Sequence, residues 1–485
     1  MKKSDETRDD TFESASVLVP KVHNPEALLA STLRLIREEM QLPESFPPEV
    51  EREAHESVEA LVLPDADLTS IPFVTIDPAG ATDLDQALHL ERAGDGYVVH
   101  YAIADVNSLV PGGGAVDTEA RERGQTLYAP DGRIPLHPTV ISEGAASLLE
   151  GQERGAFVWR FELDAAANVT ATTLTRARVR SRHQYSYVQV QEQLDSGDSE
   201  ALVLLREVGL KRVELERERG GASLNRPDEE VMFVDGRYTL ERRRPLPVEQ
   251  WNAQISLMTG MAAAGVMIAG GVGILRTMPA PFEKTLDLFR RQVDALGCPW
   301  PENMAYGEYL RELDQSDPRG LAAIHAASSL FRGAGYVAFD GAPPEHVAQA
   351  AVAAPYAHTT APLRRLVDRF VLVTCYALLN GEPVPKWVRE ALPTLPKLMA
   401  RAGGVESRLE RASVDAIEAA LLLPFVGQTF DVTVIGEREG GAVIQLVDPV
   451  VTATVEGAAT PGHVVKVTLE SADIATGAVR FTLAH

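Results

Sequence analysis

Cysteine is nearly absent from these 485 residues: only Cys298 and Cys375 occur, far apart and without metal-ligand spacing. That argues against a disulfide framework and points to a reducing, cytoplasmic setting. Positive charge is also short, with 46 Lys and Arg against 69 Asp and Glu and a net charge of −23. Such a balance argues against coating nucleic acid through overall charge, and leaves a local basic channel open. No apolar core follows Met1-Lys2-Lys3, so a secretory leader is not expected. Residues 251–275 lack charge altogether, and hydropathy alone would mark them as membrane-spanning. They are rich in Ala and Gly, contain Asn252, Gln254 and Ser256, and break at Gly270-Gly271. A buried central helix is expected there, with no membrane involved. Hydrophobic residues make up 45%, enough for a sizeable core, and the length calls for two or three domains.

What the chain does have is a dense acidic loop, "FVTIDPAGATDLDQA", at residues 73–87. An apolar strand delivers Asp77, turns through Pro78-Ala79-Gly80, and presents Asp83 and Asp85 at alternate positions. In extended chain these two point to the same side. Three close carboxylates repel unless a cation sits among them. Hard oxygen donors favour Mg²⁺, with Mn²⁺ able to substitute, and such a site suits hydrolysis at phosphorus. A solvated acidic loop is the alternative reading of these residues alone.

Far along the chain lies "YAHTTAPLRRLVDR", residues 356–369. Thr360 reads as a helix N-cap with Pro362 in the first turn, which would put Arg364 and Arg365 at a helix N-terminus. Cations there oppose the macrodipole, so a phosphate guest would explain them. An i, i+4 pair between Arg364 and Asp368 is the structural alternative.

These two segments resemble the signatures of the ribonuclease II/R family catalytic domain. "VHYAIADVNSLVPGGGAVDTEARERGQTLYAPDGRIPLHP" and "SLFRGAGYVAFDG" agree with the same family, so the resemblance spans roughly residues 70–422. It implies a metal-dependent, processive 3′→5′ exoribonuclease that degrades single-stranded RNA to nucleoside 5′-monophosphates, without an organic cofactor, as a monomer. By resemblance, Asp77, Asp83 and Asp85 match three of the family's four acidic positions, with Asp85 the principal catalytic residue and Asp83 beside it. The fourth is Gln86, where the family has Asp; an amide oxygen there could still coordinate, without charge. Arg364 would clamp the scissile phosphate and Arg365 the next. Tyr356 and His358 would meet the terminal nucleotides, and Glu410 aligns with a family glutamate that contacts the 3′ nucleotide. Ala361 and Leu366 depart from the family's Ser and Tyr. A decayed, RNA-binding regulator and a nuclease or phosphodiesterase of another class are the rival readings.

The expected architecture is an α/β chain. A polar, disordered tail covers residues 1–20 and a small helical module covers 21–70. The module is either a helix-turn-helix-like RNA contact or a brace. A mixed-sheet catalytic domain wrapped by helices follows at 71–422, and a five-stranded OB-type barrel at 423–485. Helices are expected near 198–217, 247–269, 282–296, 344–353, 361–380 and 386–421. The arginines at 176, 178, 180 and 182 and at 242–244 are candidates for lining a basic channel. The last barrel has only two rings, Phe430 and Phe481, so base stacking there is expected to be weak.

Overall fold

The computed structural model describes residues 25–484 apart from 197–199, 223, 225–227, 235, 236, 244, 315, 448 and 450. The expected polar tail lies outside these residues. Five strands close into a barrel: β1 (Phe73–Asp77), β2 (Gln86–Ala93), β3 (Gly96–Ala104), β4 (Glu153–Leu163) and β5 (Val169–Ser186). Successive strands pair antiparallel, and β1 closes the ring parallel to β5. The expected mixed sheet is thus a closed one, which leaves no free edge. Side chains alternate across each strand. On β3, Tyr97, Val99, Tyr101 and Ile103 enter one apolar cluster with Ile255 and Met258, while Ala102 and Ala104 enter another with Val50 and Ala54. Both faces of this strand are therefore covered.

Ile255 and Met258 belong to the central helix Pro247–Gly270, which stops at Gly271 with φ 68°. It is long and apolar enough to cross a membrane by length and composition. In the fold it is a core helix, packed against helices Glu200–Glu218 and Leu366–Leu379. The N-terminal helices lie against the rest of the chain. Leu29 and Leu33 of Pro25–Glu39 pack on Ala416 and Ile417 of the long helix Leu395–Leu422. Glu53 of Pro48–Glu59 accepts the backbone N–H groups of Ala115 and Val116, capping the helix Ala115–Arg123.

The C-terminal barrel runs β6 (Thr429–Arg438), β7 (Gly441–Leu446), β8 (Val451–Glu456), β9 (Val464–Asp473) and β10 (Ala478–Leu483). Its order is β6-β7-β8-β10-β9, with β8 and β10 parallel. Five strands were expected, and five are found. Phe481 is buried in its core, and the partly buried Phe430 packs on it edge-on.

Three helix expectations change. Residues 344–353 form turns and a two-residue strand, Ala348–Gln349, because Met278 and residues 348 and 350 exchange backbone hydrogen bonds. This tertiary pairing overrides the helix propensity of an Ala-rich stretch. The helix expected at 361–380 begins only at Leu366, with Arg365 as N-cap. The helix expected at 386–421 is two, Lys386–Ala391 and Leu395–Leu422, with Pro393 in the break.

One close approach fixes the arginine segment to the core. A Cβ on Gly260 would lie 2.2 Å from the Tyr356 ring and 2.6 Å from the Ala357 oxygen. Gly260→Ala is expected to cost about 1–3 kcal/mol through overpacking, measured by urea unfolding. An unchanged unfolding midpoint would show that the approach is slack.

Candidate active site

The acidic loop turns where the sequence indicates, with Gly80 in the left-handed region at φ 81°. β1 pairs with β2 through Val74 and Leu88. Asp77 and Asp85 share two charged neighbours, Arg364 and Asp83. Asp85 is buried; its Oδ1 accepts the Leu363 N–H at 2.7 Å, and its Oδ2 lies 3.4 Å from Arg364 Nε. Burial pushes the Asp85 carboxyl up to about 8, against the opposing pull of Arg364 and the Leu363 amide. Burial likewise pushes Asp77 up to about 7, with Arg364 opposing and Asp83 adding. Asp77 Oδ2 is buried with no hydrogen-bond partner. Asp83 is handled differently: Arg133 donates to it at 2.8 Å and the Tyr128 hydroxyl at 3.3 Å.

The arginine segment meets the acids as a turn, not a helix end. Asp368 accepts the Ala361 N–H at 2.8 Å and holds the Arg365 guanidinium in a two-point pair. Thr360 is not the N-cap; its hydroxyl bonds Ser256 and its carbonyl accepts from Gln86. The pair anticipated between Arg364 and Asp368 is made by Arg365 instead. Arg364 keeps a half-exposed side chain between Asp85 and an adjoining cavity.

That cavity, about 220 Å³, is lined by Gln125, Thr126, Tyr128, Arg276, Tyr336, His358, Arg364, Arg365, Met399, Gly403 and Glu406. Three guanidiniums and three rings thus border the acids. Arg276 lies over the Tyr336 ring at 4.7 Å, its partner across the two-stranded antiparallel sheet of Val272–Thr277 and Gly335–Asp340. His358 shares a 2.6 Å hydrogen bond with the Tyr336 hydroxyl. Burial, then Arg365 and Arg276, hold its imidazole well below the usual range, so it is neutral at pH 7.

Several residues read from the sequence move or drop out. Tyr356 is buried against the central helix at Gly260 and does not line the cavity. Glu410 is exposed outside it, and Glu406, one turn earlier on the same helix, lines it instead. Gln86 is bonded within the chain: its amide oxygen accepts from Tyr101 and its nitrogen donates to Thr360 O at 2.7 Å. In the arginine strand Arg176 pairs with Asp105, Arg178 with Asp67 and Arg180 with Glu153, while the exposed Arg182 donates to the Thr69 carbonyl. Arg243 pairs with Glu249, while the Arg242 side chain and Arg244 lie outside the described residues. Arg276, Tyr336, Tyr128, Arg133 and Glu406 escaped the sequence reading. Only the strand pattern around Arg276 and Tyr336, and the Pro-Asp-Gly turn before Arg133, carried any signal.

Residues 65–381 match the RNB domain, and residues 428–484 match the RNase II-type exonuclease C-terminal S1 domain. The chain belongs to the RNB-domain family. Ribonuclease R of Thermotoga maritima is 24% identical over 445 residues, covering 85% of this chain and 61% of that protein. The chain therefore spans less than two thirds of that relative's length. Among solved structures, Mycoplasma genitalium RNase R in complex with ribose-methylated single-stranded RNA superposes with a TM-score of 0.85 at 18% identity, covering 94% of this chain and 78% of that one. Yeast Ssd1, a pseudonuclease, matches with a TM-score of 0.68 at 19% identity, covering 90% of this chain and 56% of that one. The RNB fold and its terminal S1 barrel are thus those expected from the two motifs.

RNB exoribonucleases depend on a divalent metal. Among the described residues no three carboxylate, imidazole or thiolate groups form a ready cation cluster. The donor chemistry that fits is that of Asp77 and Asp85: oxygen-only, with Asp85 buried and the Asp77 Oδ2 atom buried and unpartnered. A hard divalent cation suits such donors. Asp83 and Gln86 are already engaged.

The two raised carboxyls make a pH prediction. Both titrate above the ordinary 3.8 in the fold. Their stabilising contribution is therefore complete below about pH 4 and lost as pH rises through about 7 and 8. In chelator, the wild type is expected to lose thermal stability relative to Asp85→Asn across that window, and divalent cation should restore it. A wild-type-to-variant difference in melting temperature that is flat with pH would contradict the assignment.

Proposed function

We propose that this chain is a divalent-cation-dependent, processive 3′→5′ exoribonuclease that degrades single-stranded RNA to nucleoside 5′-monophosphates. The observation that carries the reading is Arg364, which spans from the Asp85 carboxylate to a cavity bordered by Arg276, Arg365 and three rings. A terminal nucleotide in that cavity would meet Tyr128, Tyr336 and neutral His358 with its base and ribose, and the arginines with its phosphates. Its scissile phosphate would then lie at Arg364, beside Asp77 and Asp85. Asp77 and Asp85 would hold a divalent cation, which would supply an activated water and charge neutralisation at the leaving oxygen. Arg364 faces the charge that develops on the phosphoryl oxygens, the point where a fixed donor contributes most. Glu406, a carboxylate on the cavity wall, can accept from a ribose hydroxyl, the group that distinguishes RNA from DNA.

Asp85→Asn is expected to slow cleavage by about 10²–10³-fold, with RNA binding retained because a phosphate-repelling charge is removed. On 5′-labelled RNA, a bulky 3′ block should stop the wild type and a 5′ block should not. Cleavage should slow as salt rises, since the threaded backbone must shed counterions. Internal fragments from 3′-blocked RNA, or equal cutting of DNA, would point to another nuclease class.

A second reading has one observation in its favour. Gln86 is neutral and its amide is engaged on both sides, so the fourth family carboxylate has no equivalent here. An RNA-binding regulator with a weakened centre would bind RNA and leave its length unchanged at any Mg²⁺ or Mn²⁺ concentration.

A further inference from the structure

Arg133 is the cation nearest the acidic loop that the cavity does not use. It sits on the short hairpin Leu127–Ala129/Gly132–Ile134, opposite Tyr128. Its Nη1 donates to Asp83 Oδ1 at 2.8 Å. Its Nη2 reaches Glu143 Oε1 at 2.7 Å and Thr82 Oγ1 at 2.7 Å. The other Asp83 oxygen takes the Tyr128 hydroxyl, so both of its acceptor atoms are engaged by one hairpin. The hairpin is itself anchored: Leu127 and Ile134 are buried against Leu409, and Asp131 at the tip pairs with Arg37. A guanidinium held this way is preorganised, not a passing surface contact.

We propose that Arg133 is a fixed cation standing in for a second metal ion, so that the centre of this chain takes one divalent ion, for which Asp77 and Asp85 would be the carboxylate ligands. The proposal rests on reading these acids as a cation-dependent centre. Two independent features of the chain support a single ion. Asp83 is neutralised by Arg133, and position 86 carries an amide already bonded to Tyr101 and Thr360. With Asp77 and Asp85 ionised, Asp77, Asp83, Asp85 and Glu143 against Arg133 and Arg364 leave two negative charges, which one divalent cation offsets. A second ion would sit against a guanidinium at short range, where like charges repel.

The test is the stoichiometry of Mn²⁺ bound to the chelator-stripped full chain, read by calorimetry and by loss of the free-Mn²⁺ electron paramagnetic resonance signal, with no RNA present. The wild type and Arg133→Lys should each take up one equivalent. Arg133→Ala combined with Gln86→Asp should take up two, because Asp83 is released and a carboxylate is added. Two equivalents or none in the wild type, or one in the double variant, would overturn the proposal. If the double variant does not fold by circular dichroism, Arg133→Ala alone decides: a second, weaker equivalent supports the proposal, and one equivalent refutes it. A parallel RNA assay separates the two readings. A wild type that binds one ion and leaves RNA intact counts against the nuclease alone, whereas one that cuts RNA with two ions counts against the role of Arg133 alone.

Discussion

The hydrogen bond from the Leu363 amide to the Asp85 carboxylate joins residues 278 positions apart, and the site depends on it. It brings the arginine turn to the mouth of the first barrel and spends one oxygen of the central acid in doing so. The neighbouring bonds repeat the design. Gln86 donates to Thr360 O, Asp368 accepts from Ala361, and Thr126 donates to Arg364 O. The carbonyls of Thr360 and Arg364 are thereby used by Gln86 and Thr126 instead of by a following helical turn, and the helix starts at Leu366. A turn held from several sides lets Arg364 project beside Asp85 while Arg365 is locked to Asp368. Two adjacent arginines thus end in different environments, one half-exposed at the acids and one braced.

The same constraint explains how an acidic protein can present a local basic surface. Along β5, Arg178 and Arg180 pair with Asp67 and Glu153 at the surface, where such pairs contribute little beyond local order, and Arg176 reaches the buried Asp105. Behind the site, Arg369 is fully buried and pairs with Asp117 at 2.7 Å while donating to Val110 O. Breaking such a pair leaves an uncompensated charge in the interior, so it fixes the arginine helix to the helix Ala115–Arg123. Against this background of neutralised arginines, Arg276, Arg364 and Arg365 converge on one cavity. The net charge of −23 is therefore silent about the site, because it averages over pairs that cancel locally.

The central helix and the C-terminal barrel were legible because each is written locally, as an uncharged run ended by glycine and as β-branched strands with Gly turns after residue 424, whereas closure of the first sheet depends on the distant pairing of β1 with β5. The acidic loop, too, is written locally. What the sequence hid were facts of tertiary contact. Nothing in "TTAPLRRLVD" tells that Asp368 reaches back to Ala361, and local rules favour a helix start at Thr360. Glu406 and Glu410 are indistinguishable by type; only the helix phase relative to the cavity separates them. Arg176, Arg178 and Arg180 alternate as a channel lining would, yet their partners, Asp67, Asp105 and Glu153, come from elsewhere in the chain.

Gln86 shows how a departure at one family position can answer a local demand. Tyr101 is fully buried, and burial holds its hydroxyl well above the usual range, so it remains a donor that needs an acceptor. Thr360 presents a carbonyl that needs a donor. The Gln86 amide meets both with one side chain, accepting from Tyr101 and donating to Thr360 O. An ionised aspartate at this position could accept but not donate. It would leave the Thr360 carbonyl without this partner and add a fourth carboxylate beside Asp77, Asp83 and Asp85. With no further cation to offset it, that charge would raise the cost of keeping the others ionised. The neutral residue at 86 and the arginine at 133 thus act in the same direction. Both lower the negative charge of the loop, one by omission and one by direct pairing, and both do so through groups that also tie separate segments of the chain together.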